Sequence, residues 1–96
     1  MKELIWKFEL RPTDGIITVE LPQAAEVLSA SAIGQQMFIW VKFSADVKNL
    51  EPVPRYFEVF GTGHEIHCDM GISRQFIGTA FMYKGALVWH IFERLN

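Results

Sequence analysis

Residues 4–11, Leu4-Ile5-Trp6-Lys7-Phe8-Glu9-Leu10-Arg11, place Leu4, Trp6, Phe8 and Leu10 at even positions and Lys7, Glu9 and Arg11 at odd ones. A period of two belongs to an extended strand with one face on a core and the other in water. The next segment repeats the pattern. Pro12-Thr13-Asp14-Gly15 supplies turn chemistry, after which Ile17, Val19 and Leu21 alternate with Thr18 and Glu20, so the first two strands are expected to form a hairpin.

The rest of the chain extends this reading. Pro22–Glu26 reads as a tight connection, and Val27–Ile33 as a strand of thin side chains. Met37–Phe43 reads as a strand apolar on both faces and therefore central and covered on both sides. Ser44–Pro54 has no sustained period and is expected to fold back over an open end of the core or to form a binding lip. Arg55–Phe60, Gln75–Tyr83 and Ala86–Phe92 complete about seven short strands. The expected fold is all-β, with antiparallel strands in a compact sandwich or small barrel and at most one short helical turn.

Ninety-six residues suit one domain over 1–96, and a 50% hydrophobic composition is enough to fill its core. Eight Phe, three Trp and two Tyr are hard to bury entirely in so small a domain, which points to a contact surface and a homodimer or higher homo-oligomer. The net charge of −2 and the dispersed Lys and Arg residues argue against direct binding of double-stranded nucleic acid. A single cysteine rules out an intrachain disulfide and suits a reducing compartment, so the expected location is cytoplasmic. No apolar run is long enough to cross a bilayer, and no membrane association is expected.

One segment concentrates chemistry. Gly61-Thr62-Gly63-His64-Glu65-Ile66-His67-Cys68-Asp69-Met70-Gly71 holds five metal-capable or catalytic side chains in six residues. A zinc site from His64, His67 and Cys68 is conceivable, but residues 67 and 68 point apart in extended chain and no second cysteine helps, so no metal and no cofactor are expected. A general acid–base pair of His64 and His90 would suit a small hydrolase or phosphodiesterase. Against that stands the commoner fate of a histidine between Trp89 and Ile91, packed on a strand. Gly61-Thr62-Gly63 can be read as an anion nest, which makes Gly61, Thr62, Gly63, His64 and His90 the candidate ligand-binding set. The structural alternative is a bulge or tight corner with Thr62 or His64 bonded locally.

Ile5–Leu10, Phe57-Glu58-Val59-Phe60-Gly61-Thr62-Gly63-His64, Ile77-Gly78-Thr79 and Val88-Trp89-His90-Ile91-Phe92-Glu93 together resemble a family of small, uncharacterised phage and prophage proteins, a domain of unknown function. The resemblance covers nearly the whole chain. Its pattern includes Gly61, Thr62, Gly63, His64, His90 and Glu93 but not His67 or Cys68. What it implies is a genomic setting rather than an activity; by analogy with that setting, a non-enzymatic accessory role in the host bacterial cytoplasm is expected. The expected form of that role is an anti-defence inhibitor that binds a host protein or a small anionic ligand such as a nucleotide, with a minor virion or assembly protein as the alternative.

Overall fold

In the computed structural model, which describes residues 1–96, seven antiparallel strands form two sheets. The strands are β1 (Glu3–Leu10), β2 (Ile17–Leu21), β3 (Glu26–Ile33), β4 (Gln36–Ser44), β5 (Val53–Gly61), β6 (Arg74–Met82) and β7 (Leu87–Arg94). Helical structure is confined to two 3-10 turns, Ala45–Val47 and Tyr83–Gly85, one more than the sequence led us to expect. No helix is long and apolar enough to cross a membrane.

The sheets are β1-β4-β3 and β2-β5-β7-β6, and this arrangement corrects the expected hairpin. β1 pairs with β4, from Glu3 opposite Ser44 to Leu10 opposite Met37, while β2 pairs with β5, from Ile17 opposite Phe57 to Leu21 opposite Val53. The turn between β1 and β2 therefore carries the chain from one sheet to the other. Periodicity specifies which face of a strand is buried but says nothing about which neighbour completes its ladder.

Inward side chains of both sheets form one core, in which Leu21, Ile39, Val41, Phe57, Ala80 and Ile91 have no exposed surface. β4 is central in its sheet, but it is covered on one face only. Met37, Ile39, Val41 and Phe43 are buried, whereas Phe38 and Trp40 lie half-buried on the outer face in an edge-to-face pair 6.1 Å apart. The long side chain of Lys7 completes this patch, with Nζ 4.8 Å from the centre of the Phe38 ring. The two-sided apolar run thus reflects an aromatic surface patch rather than a third layer.

β6 departs from its simple alternation. A bulge between Phe76 and Gly78 shifts the register, so Ala80 and Met82 face the core while Phe81 is 65% exposed. The reason is visible at the seam where β3 and β6 bring the two sheets together. A Cβ on Gly78 would lie 2.4 Å from the Ala30 carbonyl oxygen, so only a glycine admits this approach. The thin side chains of β3, Ala30 opposite Ile39 and Ala32 opposite Met37, serve the same convergence.

On the opposite side β1 and β2 leave the sandwich open. The Ser44–Pro54 segment folds back over this gap: Ser44 Oγ accepts from the Asp46 amide at 3.2 Å, and Val47 packs against the core. Leu50, 51% exposed, joins Trp6 and Phe8 along a shallow groove.

Inside the core at one end, Glu93 is 5% exposed and is gripped by Arg55, whose Nη2 donates to Oε1 at 2.9 Å and whose Nε donates to Oε2. Arg55 Nη1 also donates to the Ala25 carbonyl at 2.9 Å, tying β5 to the β2–β3 turn, where Ala24 has a φ of 55°. A carboxylate on the same face as Trp89 and Ile91 has to find a cation, and Arg55 provides it in a two-pronged fork.

Candidate functional site

The Gly61–His64 corner ends β5 in a turn closed by the His64 amide donating to the Gly61 carbonyl at 3.0 Å. Gly63, at the third position, has φ +86°, a conformation that glycine adopts without strain. The Thr62 amide donates to the Val88 carbonyl at 3.1 Å. Two of the amides that an anion nest would need are therefore already engaged within the chain. The glycines shape a corner, as the structural alternative holds.

What the corner does shape is the seat of His64. Gly61 lies opposite Trp89 on the inward face, and the His64 ring occupies the space where a side chain on Gly61 would point, with Cε1 2.7 Å from the ideal Cβ position. The imidazole meets the Trp89 indole edge-on with ring centres 6.2 Å apart. Gly61→Ala is expected to push this flexible ring aside at a cost of about 1 kcal/mol. In NMR spectra the His64 ring protons should lose the shift imposed by Trp89; unchanged His64 signals would refute the placement.

His90 occupies the other face. It pairs with Phe60 and Thr79 on the outer surface of the sheet, with Nε2 2.8 Å from Thr62 Oγ1 and Nδ1 3.3 Å from Thr79 Oγ1. Both ring nitrogens are thus occupied, one donating and the other accepting in either neutral tautomer, because hydroxyls can serve both roles. Successive strand residues point to opposite faces, so Trp89 and His64 lie on one side of β7 and His90 on the other. The structure joins Thr62 to His90 and Gly61 to His64, but it does not bring the two histidines to one reacting atom.

Residues 64–72 run along the surface as a long connection. β7 lies between β5 and β6, so the chain leaving Gly61 must pass it to reach Arg74. Arg74 marks the route: Nη1 donates to the His67 carbonyl at 2.7 Å and Nε to Glu58 Oε1 at 2.7 Å. The Glu58 hydrogen bond is the main cause raising the Arg74 pKa above its usual value, with the Glu58 and Asp69 carboxylates adding favourable charge. Beyond it the Asp69–Ile72 turn closes through the Ile72 amide, and Asn96 holds the Ser73 amide at 2.8 Å and the Gly71 carbonyl. Cys68 is exposed, its Sγ 3.6 Å from the Ile66 carbonyl. His64, His67 and Cys68 do not converge, and no three His, Cys, Asp or Glu side chains form a metal-sized group. His64 is committed to the inner face, while the His67 backbone is held above the outer one.

The corner also borders an open cleft of ≈ 590 Å³ that composition did not reveal. It is lined by the Pro12–Gly15 turn, Val59 and Phe60, with His64, Glu65 and Trp89 completing it. Its ionised side chains are Asp14 and Glu65, and neither lysine nor arginine lines it. Asp14 reads in sequence as a turn former and nothing more. Only the β2–β5 pairing, which sets the start of β2 beside the end of β5, brings it to the corner.

The outer face of the same sheet holds the cations instead. Glu58, 8% exposed, lies between Arg74 and Arg94, the latter with Nη1 3.5 Å from Glu58 Oε1. Phe92 stacks edge-on with Phe60 at 5.9 Å and with Phe76 at 5.4 Å around them. The family model described as a domain of unknown function, DUF7352, matches residues 1–96. No curated protein and no solved structure matches the chain.

Proposed function

The chain belongs to the DUF7352 family, a domain of unknown function, and we propose from its own geometry that it is a non-enzymatic binding module acting through the cleft at the Gly61–His64 corner. In the phage or prophage setting that its sequence motifs suggest, such a module is an accessory protein that inhibits a host protein. The observation that carries this reading is the lining of the cleft. Two carboxylates, Asp14 and Glu65, flank the Trp89 and His64 rings without a counter-cation.

That lining selects among ligands. A phosphate-bearing nucleotide would meet two negative charges and amides already bonded to the chain, whereas a lysine or arginine side chain would find carboxylates at the rim and an aromatic wall. The protein-partner branch of the reading is therefore favoured over the nucleotide branch. The catalytic alternative loses support because each imidazole is engaged on its own face of the sheet, away from a shared substrate atom.

Titration with an arginine-containing peptide and, separately, with ATP distinguishes these readings. The peptide should shift the Trp89 indole and His64 ring signals, and the Asp14→Asn/Glu65→Gln double variant should bind it at least roughly tenfold more weakly. Shifts induced at the corner by ATP and not by the peptide would overturn the proposal.

A further inference from the structure

β1 is an edge strand without the backbone features that keep an edge from pairing. It is bonded to β4 along its whole length, and no strand pairs with its other side. It contains no proline, glycine or bulge, and its eight residues run in regular register. Two large apolar side chains are left open on it, Ile5 at 58% on the outer face and Trp6 at 45% on the inner face. Trp6 lies beside the gap between β1 and β2, where the sandwich offers it Phe43 on one side, 5.0 Å away edge-on, and solvent on the other.

The charges of β1 are ordered for a particular neighbour. Lys7 forms no ion pair within the chain, its ammonium lying instead over Phe38. Glu3 is approached only by Lys42 at 3.8 Å, and Lys42 is nearer to Glu26 at 3.2 Å. Glu3, Ile5 and Lys7 share one face, with an acid and a base placed symmetrically about an isoleucine. A strand with that order is complementary to itself when reversed.

We propose that β1 pairs antiparallel with the β1 of a second copy across a two-fold axis at Ile5, joining two three-stranded sheets into a continuous sheet of six. In this register Ile5 faces the partner's Ile5, each Lys7 faces the partner's Glu3, and each Leu4 faces the partner's Trp6. The pairing satisfies edge backbone groups that otherwise rely on water and covers both exposed apolar side chains. The other charge-matched register, with Phe8 on the axis, places Lys7 against Glu9, which is already engaged by Arg11 at 3.4 Å and by Gln36 at 3.3 Å. It also sets Ile5 against Arg11. The axis at Ile5 gives Glu3, Ile5 and Lys7 suitable partners and leaves Glu9 with the Arg11 and Gln36 contacts it already makes.

The test is charge exchange within one strand, read by sedimentation equilibrium over a dilution series, with circular dichroism to verify the fold. The unaltered protein should sediment at twice its chain mass of 11.0 kDa. Lys7→Glu sets acid against acid at two symmetry-related places, and Glu3→Lys sets base against base. Each alone should raise the dimer dissociation constant roughly tenfold or more, and the Glu3→Lys/Lys7→Glu double variant should restore it. Three results would overturn the proposal: an unaltered protein that remains a monomer, a dimer indifferent to either single change, or a folded double variant that stays as weak as the singles.

Discussion

Gly78→Ala is expected to be among the most damaging single-methyl changes in this protein, costing about 3 kcal/mol and lowering the melting temperature by roughly 12–24 °C. The added Cβ would stand 2.4 Å from the Ala30 carbonyl oxygen and 2.9 Å from the Ala30 nitrogen. Both are backbone atoms of a strand held by its ladder to β4, so no rotation relieves the contact and the two sheets must separate. Gly15→Ala is the control. Its φ of +89° makes alanine strained by about 1 kcal/mol, but nothing lies within 4 Å of the new methyl. Urea or thermal unfolding of the two variants measures the difference. A Gly78→Ala protein as stable as Gly15→Ala would show that β3 and β6 are not in the contact described.

Loss of one partner of the Arg55–Glu93 pair should be comparably severe. Glu93→Ala leaves a guanidinium in the core without its carboxylate, and removal of one member of a buried pair costs about 3–5 kcal/mol. The lower end of that range applies here, because the Arg55 side chain is 26% exposed and water can reach part of it. Arg55→Met/Glu93→Leu should recover much of the loss, since a matched apolar pair carries no stranded charge. It should still fall short of the original protein by the Arg55 hydrogen bond to the Ala25 carbonyl, about 1 kcal/mol. A double-mutant cycle in denaturant reads the coupling directly. Additive losses would mean that the two side chains do not share the burial described.

The strands were legible because alternation is a local signal: Leu4, Phe8 and Leu10 pack on the core as their spacing demands, with Trp6 on the same face but half open at the edge. Their partners were not, because β1 and β2 are joined by turn chemistry that serves a hairpin and a sheet-to-sheet crossing equally well. The bulge at Phe76–Gly78 was hidden for another reason. It answers the close approach of Ala30, a residue more than forty positions earlier, and inverts a pattern that looks regular when read alone.

The corner divides in the same way. Thr62 meets His90 and Gly61 seats His64, yet the polar groups of these residues are largely spent within the chain, on one another and on Val88 and Thr79. The carboxylate character of the adjoining cleft depends on Asp14, which is brought there by strand pairing across the chain. Arg55 with Glu93, and Glu58 with Arg74 and Arg94, could have been suspected from carboxylates set among apolar strand residues. Which arginine serves which acid required the fold.

The position of β7 also orders events during synthesis. β1, β3 and β4 all lie before residue 45, so the smaller sheet can assemble early on a growing chain. The larger one cannot, because its third strand in space, β7, is the last in sequence, and β5 and β6 share no ladder until it arrives between them. Their apolar faces, including Phe57 and Ala80, must wait exposed or loosely collapsed against the first sheet while the remaining residues emerge. Pairing this dependent on distant segments folds slowly and is vulnerable to association while incomplete. A ribosome that pauses before residue 87 would therefore present a half-built sandwich to the cell's chaperones.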